Sequence, residues 1–161
     1  MLKHTIKLLV MDVDGTLTDG KIYIGNDGEI MKAFDIKDGC GIHDILPTAG
    51  IIPCIITGRE SRILENRCRE LGIQSLYQGV RNKSVQLESI IKSYSISFSE
   101  TAYIGDDIND LSCMRIVKEG GGIIGCPADA VPAVKATADY VCKRIGGNGA
   151  VREFIEYLCL S

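Results

Sequence analysis

Short apolar runs alternate with amphipathic stretches along most of the chain. Ile6–Asp12 (IKLLVMD) is nearly continuous in apolar residues and ends in acid; Gly50–Thr57 (GIIPCIIT) and Ala102–Asp106 (AYIGD) repeat the pattern. Ser75–Tyr77, Gly122–Ile124 and Tyr140–Val141 are shorter strand candidates. Strands without polar alternation fit a sheet covered on both faces, as parallel sheets are. Between them, Cys40–Ala49 sets Ile42, Ile45, Leu46 and Ala49 on one stripe before Gly50. Ser61–Leu71 has a capping serine in front and Gly72 behind. Asn82–Tyr94 and Asp107–Val117 repeat the scheme, and Ala150–Leu160 carries Val151, Phe154, Ile155 and Leu158 on one side. Strand–helix alternation of this kind predicts an α/β fold, a doubly wound (Rossmann-like) parallel sheet with right-handed crossovers.

Lys21–Phe34 departs from that rhythm. KIYIG and EIMKAF flank Asn26-Asp27-Gly28, and Asp-Gly between alternating apolar residues signals a hairpin. A hairpin directly after the first strand does not fit inside a parallel sheet, so it is expected to protrude. Its Ile22, Tyr23, Ile24, Ile30, Met31 and Phe34 then call for a partner surface.

Composition narrows the class. The 161 residues suit one domain, and 45% hydrophobic residues supply an ordinary core. A formal charge of −3 and the absence of Trp argue against a nucleic-acid or anionic-membrane surface. No apolar run approaches the ~20 residues that span a bilayer. Met1–His4 leads into the first strand without a signal-peptide cleavage pattern, so a cytoplasmic protein is expected. The seven cysteines form no C-x-x-C or Cys/His cluster and read as small hydrophobes, not as a zinc site or disulfide framework.

Candidate chemistry gathers where strands end, which in open α/β sheets is the ligand crevice. The first strand runs into Asp12-Val13-Asp14-Gly15-Thr16, with Asp12 and Asp14 spaced to serve one site. Two close carboxylates repel, and recruit a metal or split their pKa values. The second ends Thr57-Gly58-Arg59, where a hydroxyl and the following N–H groups suit a phosphate. Lys83 stands in a first helical turn, against the macrodipole unless it faces an anion. The third ends Gly105-Asp106-Asp107-Ile108-Asn109-Asp110, a cluster of hard oxygen donors suited to Mg²⁺. Singly, these also fit a turn, a solvated Arg, a surface Lys and a helix cap. Together, in order at successive strand ends, they are far more specific.

The ordered set resembles the haloacid dehalogenase superfamily of aspartate-nucleophile phosphotransferases, on D12-V-D14-G-T, T57-G, K83 and G105-D106-D107-x-N109-D110. FDIKDGCGI (34–42), ITGRESRILENRC (56–68), LYQG (76–79), NKS (82–84) and GGNGAVRE (146–153) look like the 3-deoxy-D-manno-octulosonate 8-phosphate phosphatases, nearly end to end. The resemblance implies Asp12 as nucleophile forming an aspartyl phosphate, and Asp14 as proton donor and acceptor. It implies Thr57 and Lys83 on the phosphoryl oxygens. Mg²⁺ would be held by Asp12, Asp106 and the Asp14 main-chain carbonyl.

For the sugar acid the implied contacts are Asp35, Ile36, Lys37, Asp38, Gly39, Gly58, Arg59, Arg67 and Lys83, with Arg59 and Arg67 eight apart and so sharing a helical face. The family usually has Asn and Arg where this chain has Asp35 and Lys37. The 43 positions from Asp14 to Thr57 and the 26 from Thr57 to Lys83 leave no room for a folded cap of ~50 residues. The lid is then expected from a neighbouring subunit of a homotetramer, with hairpins at its centre. The glycine-rich stretch before the last helix, with Arg152, would lie near a neighbour's site, and no long C-terminal lid is expected after Ser161. A phosphatase for nine-carbon sugar acids and a non-catalytic assembly module are the alternatives. The intact set Asp12, Asp14, Thr57, Lys83 and Asp106 favours catalysis.

Overall fold

The computed structural model describes residues 5–160; Met1–His4, on which the signal-peptide expectation rests, and Ser161 lie outside the described residues. Six strands form one parallel sheet: β1 (Leu8–Met11), β4 (Ile52–Ile56), β5 (Ser75–Tyr77), β6 (Thr101–Ile104), β7 (Ile123–Cys126) and β8 (Tyr140–Val141). Its order is β5-β4-β1-β6-β7-β8. β1 pairs with β4 on one side and β6 on the other, Met11 standing opposite both Ile55 and Ile104. The chain order reverses around β1, so the crevice beyond its carboxyl end is the expected ligand position.

Residues of β1 alternate between the two faces. Leu9 and Met11 join one core with Ile42, Leu46, Leu64, Cys68, Val151, Phe154, Ile155 and Leu158. Leu8 and Val10 join the other with Leu87, Ile90, Cys113, Met114, Val117 and Val134. Two buried faces explain why the central strands read as unbroken apolar runs. The helices α3 (Arg62–Leu71), α4 (Lys83–Tyr94), α5 (Leu111–Glu119), α6 (Pro132–Thr137) and α7 (Ala150–Leu160) cover them. Ser61 and Asn82 cap α3 and α4 as expected, and Gly72 ends α3 at φ 71°. α6 was not anticipated, and α5 begins three residues late because Ile108–Asp110 forms a 3₁₀ turn.

The helix expected over Cys40–Ala49 starts earlier. α1 (Ile36–Cys40) runs into a π-helical turn (Gly41–Ile45) and then α2 (Leu46–Thr48). The Asp35 carboxylate accepts from the Lys37 and Asp38 N–H groups and nucleates the earlier turn. The segment expected to contact the sugar acid is therefore helical from Ile36, with Asp35 as its cap.

The hairpin forms from β2 (Tyr23–Gly25) and β3 (Gly28–Met31), outside the main sheet. Ile22, Tyr23, Ile24, Ile30 and Met31 are exposed as expected, whereas Phe34 is half-buried against the core with the Arg67 guanidinium 5.7 Å from its ring centre. All seven cysteines are free; Cys40 and Cys159 are exposed and the other five buried. Among the described residues no helix is long and apolar enough to cross a membrane.

Candidate active site

Backbone register assembles the crevice. The Asp12 N–H donates to the Ile104 carbonyl at 3.1 Å, which sets Asp12 level with the ends of β4 and β6. Asp12, Asp14, Thr57, Gly58, Arg59, Asp106, Asp107 and Asn109 line one cavity of about 330 Å³, joined by Gly20 and Ile22 from the start of the hairpin. Four of the five predicted metal, nucleophile and phosphate residues, Asp12, Asp14, Thr57 and Asp106, thus share one wall, and the fifth, Lys83, reaches Asp12 from behind.

Lys83 is the first residue of α4 and is buried. Its ammonium donates to Asp12 Oδ1 at 2.8 Å and to Asp110 Oδ1 at 2.9 Å. The two carboxylates hold the lysine above its ordinary pKa, although burial alone would lower it. Its position in a first turn makes sense on this basis: two anions outweigh the helix dipole.

Asp110 was left out of the predicted site, and its role is structural as well as electrostatic. Its Oδ1 also accepts from the Tyr103 hydroxyl at 2.6 Å, and its Oδ2 accepts from the Asp106 and Asp107 N–H groups at 3.0 and 3.3 Å. The only sequence signal was its place in the acidic cluster, where four candidates stood within five residues.

Donor oxygens of Asp12, Asp106 and Asp110 lie within 4.8 Å of one another. Burial pushes Asp106 up to about 8, with the Asp12 and Asp110 charges adding to it. Burial likewise raises Asp12 to about 6, with Asp110 adding and Lys83 opposing. Such a site is short of positive charge. Because both Asp110 oxygens are engaged by protein donors, Asp12 and Asp106 are the carboxylates left for a cation. Two carboxylates plus phosphate and water oxygens are a usual donor set for Mg²⁺. Gly15 makes the space: at φ +92°, a Cβ there would lie 1.9 Å from Asp106 Oδ2. Thr16 Oγ1 donates to Asp106 Oδ1 at 3.2 Å and orients it.

The predicted substrate contacts divide. Gly58 and Arg59 line the crevice, and Lys83 backs it through Asp12. Arg59 precedes α3, which Ser61 caps, so the helical spacing from Arg59 to Arg67 does not apply and the two do not share a helical face. Arg67 lies over Phe34, pairs with Glu70 at 2.9 Å and closes on Gly39. Asp38 is buried and accepts the Arg152 N–H at 2.8 Å at the start of α7, so it anchors that helix. Burial raises it to about 6. Asp35 caps α1, and Ile36 is exposed. Lys37 lines a separate basic crevice with Lys143, Arg144 and Arg152. Within one chain, Asp35–Gly39 and Arg67 therefore stand outside the cavity that holds Asp12.

A haloacid dehalogenase-like hydrolase model matches residues 76–155. A 3-deoxy-D-manno-octulosonate 8-phosphate phosphatase of Escherichia coli (strain K12) is 45% identical over 158 residues, covering 98% of this chain and 81% of that protein. The chain belongs to the haloacid dehalogenase-like hydrolase family. Within this family the fold likeness is close. The cobalt-bound deoxy-D-mannose-octulosonate 8-phosphate phosphatase of Haemophilus influenzae superposes with a TM-score of 0.91 at 36% identity, covering 98% of this chain and 89% of that one. The Moraxella catarrhalis 3-deoxy-D-manno-octulosonate 8-phosphate phosphatase, solved with a magnesium ion, a phosphate ion and KDO, superposes with a TM-score of 0.89 at 41% identity, covering 96% and 86%. The acidic crevice of this chain lies at the strand ends. The inserts here are a hairpin and short helices, with no cap evident among the described residues.

Proposed function

We propose that this haloacid dehalogenase-like hydrolase is a Mg²⁺-dependent phosphatase for a keto sugar acid phosphate, with 3-deoxy-D-manno-octulosonate 8-phosphate as substrate. The observation that carries the chemistry is the buried Asp12 carboxylate, set beside Lys83 and Asp106 at the crevice wall. The likeness to the Escherichia coli and Moraxella catarrhalis phosphatases carries the substrate.

Asp12 attacks the phosphorus in line, displacing the sugar hydroxyl and becoming an aspartyl phosphate. Lys83 neutralises charge on the phosphoryl oxygens, with Thr57 and the Gly58 backbone at the same strand end. Asp14 protonates the departing sugar oxygen, then takes a proton from the water that releases phosphate. Asp12, Asp106 and the Asp14 carbonyl would hold Mg²⁺, which screens the repulsion between the anionic nucleophile and the anionic ester. Arg59, exposed at the crevice mouth, suits the sugar carboxylate as a bidentate fork.

The exposed apolar hairpin supports assembly into a homotetramer of one-domain subunits, in which Lys37 and Arg152 serve a neighbour's site. Light scattering is expected to return a tetramer; a monomer overturns that part alone. Seven free thiols accord with a reducing cytoplasm. The deciding assay is phosphate release from 3-deoxy-D-manno-octulosonate 8-phosphate, nine-carbon sugar acid 9-phosphates and glucose 6-phosphate, each with Mg²⁺ or chelator. Selective, metal-dependent hydrolysis of the eight-carbon ester is expected. Preference for a nine-carbon ester corrects the substrate, and no hydrolysis of any ester removes the reading.

A further inference from the structure

Lys32 follows the exposed strand β3, yet its side chain is only 2% exposed. Lysine ammonium groups stay in water unless anions meet them. Here the Nζ donates to Asp14 Oδ1 at 2.6 Å and pairs with Glu29 Oε1 at 3.0 Å. Glu29 in turn accepts from the Ser61 hydroxyl, whose oxygen also caps α3 through the Leu64 N–H at 3.2 Å. An unbroken chain of polar contacts therefore runs from the start of α3, through Glu29 and Lys32 of the hairpin segment, to the crevice carboxylate of Asp14.

We propose that Lys32 is a positioning residue that fixes the Asp14 carboxylate for proton transfer. Asp14 needs such a brace. It is followed by Gly15 at φ +92°, and its side chain, 22% exposed, lines the open crevice. Lys32 engages one carboxylate oxygen from the hairpin side. A displacement of about 1 Å in a reacting group can cost on the order of 100-fold in rate, so a contact that sets this carboxylate bears directly on turnover. The brace also gives the hairpin an intrachain role, distinct from its exposed apolar face.

This inference rests on the reading of Asp14 as the group that protonates the leaving oxygen. The test compares kcat/KM for 3-deoxy-D-manno-octulosonate 8-phosphate, whose alkoxide leaving group needs a proton, with 4-nitrophenyl phosphate, whose phenolate leaves without one. Lys32→Met is expected to lose roughly 10–100-fold on the sugar ester and under about threefold on the aryl ester, with Lys32→Arg recovering most of the difference. Equal losses on both esters, or no loss, overturn the proposal. If Lys32→Met does not fold, Glu29→Gln loosens the brace from its other end, and the same selective loss is expected; an equal loss again overturns it. A wild-type enzyme that hydrolyses neither ester removes the phosphatase reading and this inference with it. A wild type active on both, with variants that lose equally, removes the inference alone.

Discussion

Asp110 accepts a hydrogen bond from the Lys83 ammonium at 2.9 Å with both side chains closed off from solvent. The pair lies behind Asp12 and keeps the lysine aimed at it. Asp110→Ala would leave the Lys83 charge and the Tyr103 hydroxyl short of a partner. Breaking one side of a buried pair costs about 3–5 kcal/mol. A loss of that order in urea unfolding is expected, together with turnover down by at least about 100-fold. Asp110→Asn, which keeps an acceptor, is expected to lose less stability.

Asp12→Asn removes the proposed nucleophile while preserving shape. Phosphate release is expected to fall below detection and acid-quenched protein to carry no phosphate after incubation with labelled ester, with an unchanged circular dichroism spectrum. Retained turnover would move the nucleophilic role elsewhere.

The raised carboxyl of Asp106 makes a prediction with a definite sign. Its value in the folded chain, about 8, lies above the ordinary 3.8. Between those values the folded state holds more protons than the unfolded state, so the metal-free protein loses stability as pH rises through the window. With chelator at pH 8, Asp106→Asn is expected to be more stable than wild type by on the order of 1–2 kcal/mol, and the gap should close as pH falls to 5. Mg²⁺ should stabilise wild type at pH 8 and leave the variant nearly unmoved. Thermal unfolding across pH, with and without metal, checks both.

Gly146 ties the glycine-rich stretch to the loop that follows Asp12. A Cβ there would lie 2.0 Å from the Gly15 carbonyl oxygen, and the neighbouring Gly147 N–H donates to the Thr16 carbonyl at 3.1 Å. The obstruction is backbone, which cannot swing aside. Gly146→Ala is expected to destabilise by about 1–3 kcal/mol and to lower turnover at least tenfold (roughly) by shifting the loop that follows Asp12. Steady-state kinetics beside denaturant unfolding measures the two effects.

Local signals were legible where local physics controls the outcome. Ser61, Asn82 and Gly72 mark helix ends because caps act on the nearest N–H and C=O groups. Strand runs around Val10, Ile55 and Tyr103 were legible because a doubly covered sheet tolerates few polar residues. The early start of α1 was missed: Asp35-Ile36-Lys37-Asp38-Gly39 offers no apolar stripe, and its helix depends on an Asp35 cap and on Asp38 docking to α7.

The sequence alone determined the order of the chemistry: carboxylates at the end of β1, a hydroxyl after β4, a lysine opening α4 and acids after β6. Periodicity and turn residues dictate which side chains stand at strand ends, and those are properties of neighbours in the chain. Only the tertiary structure decided that Asp110 rather than Asp107 holds Lys83, that Arg67 turns to Phe34, and that Lys32 folds inward onto Asp14. Each of those outcomes depends on burying a charge against a partner distant in sequence, and desolvation energy exists only once the surrounding elements have closed.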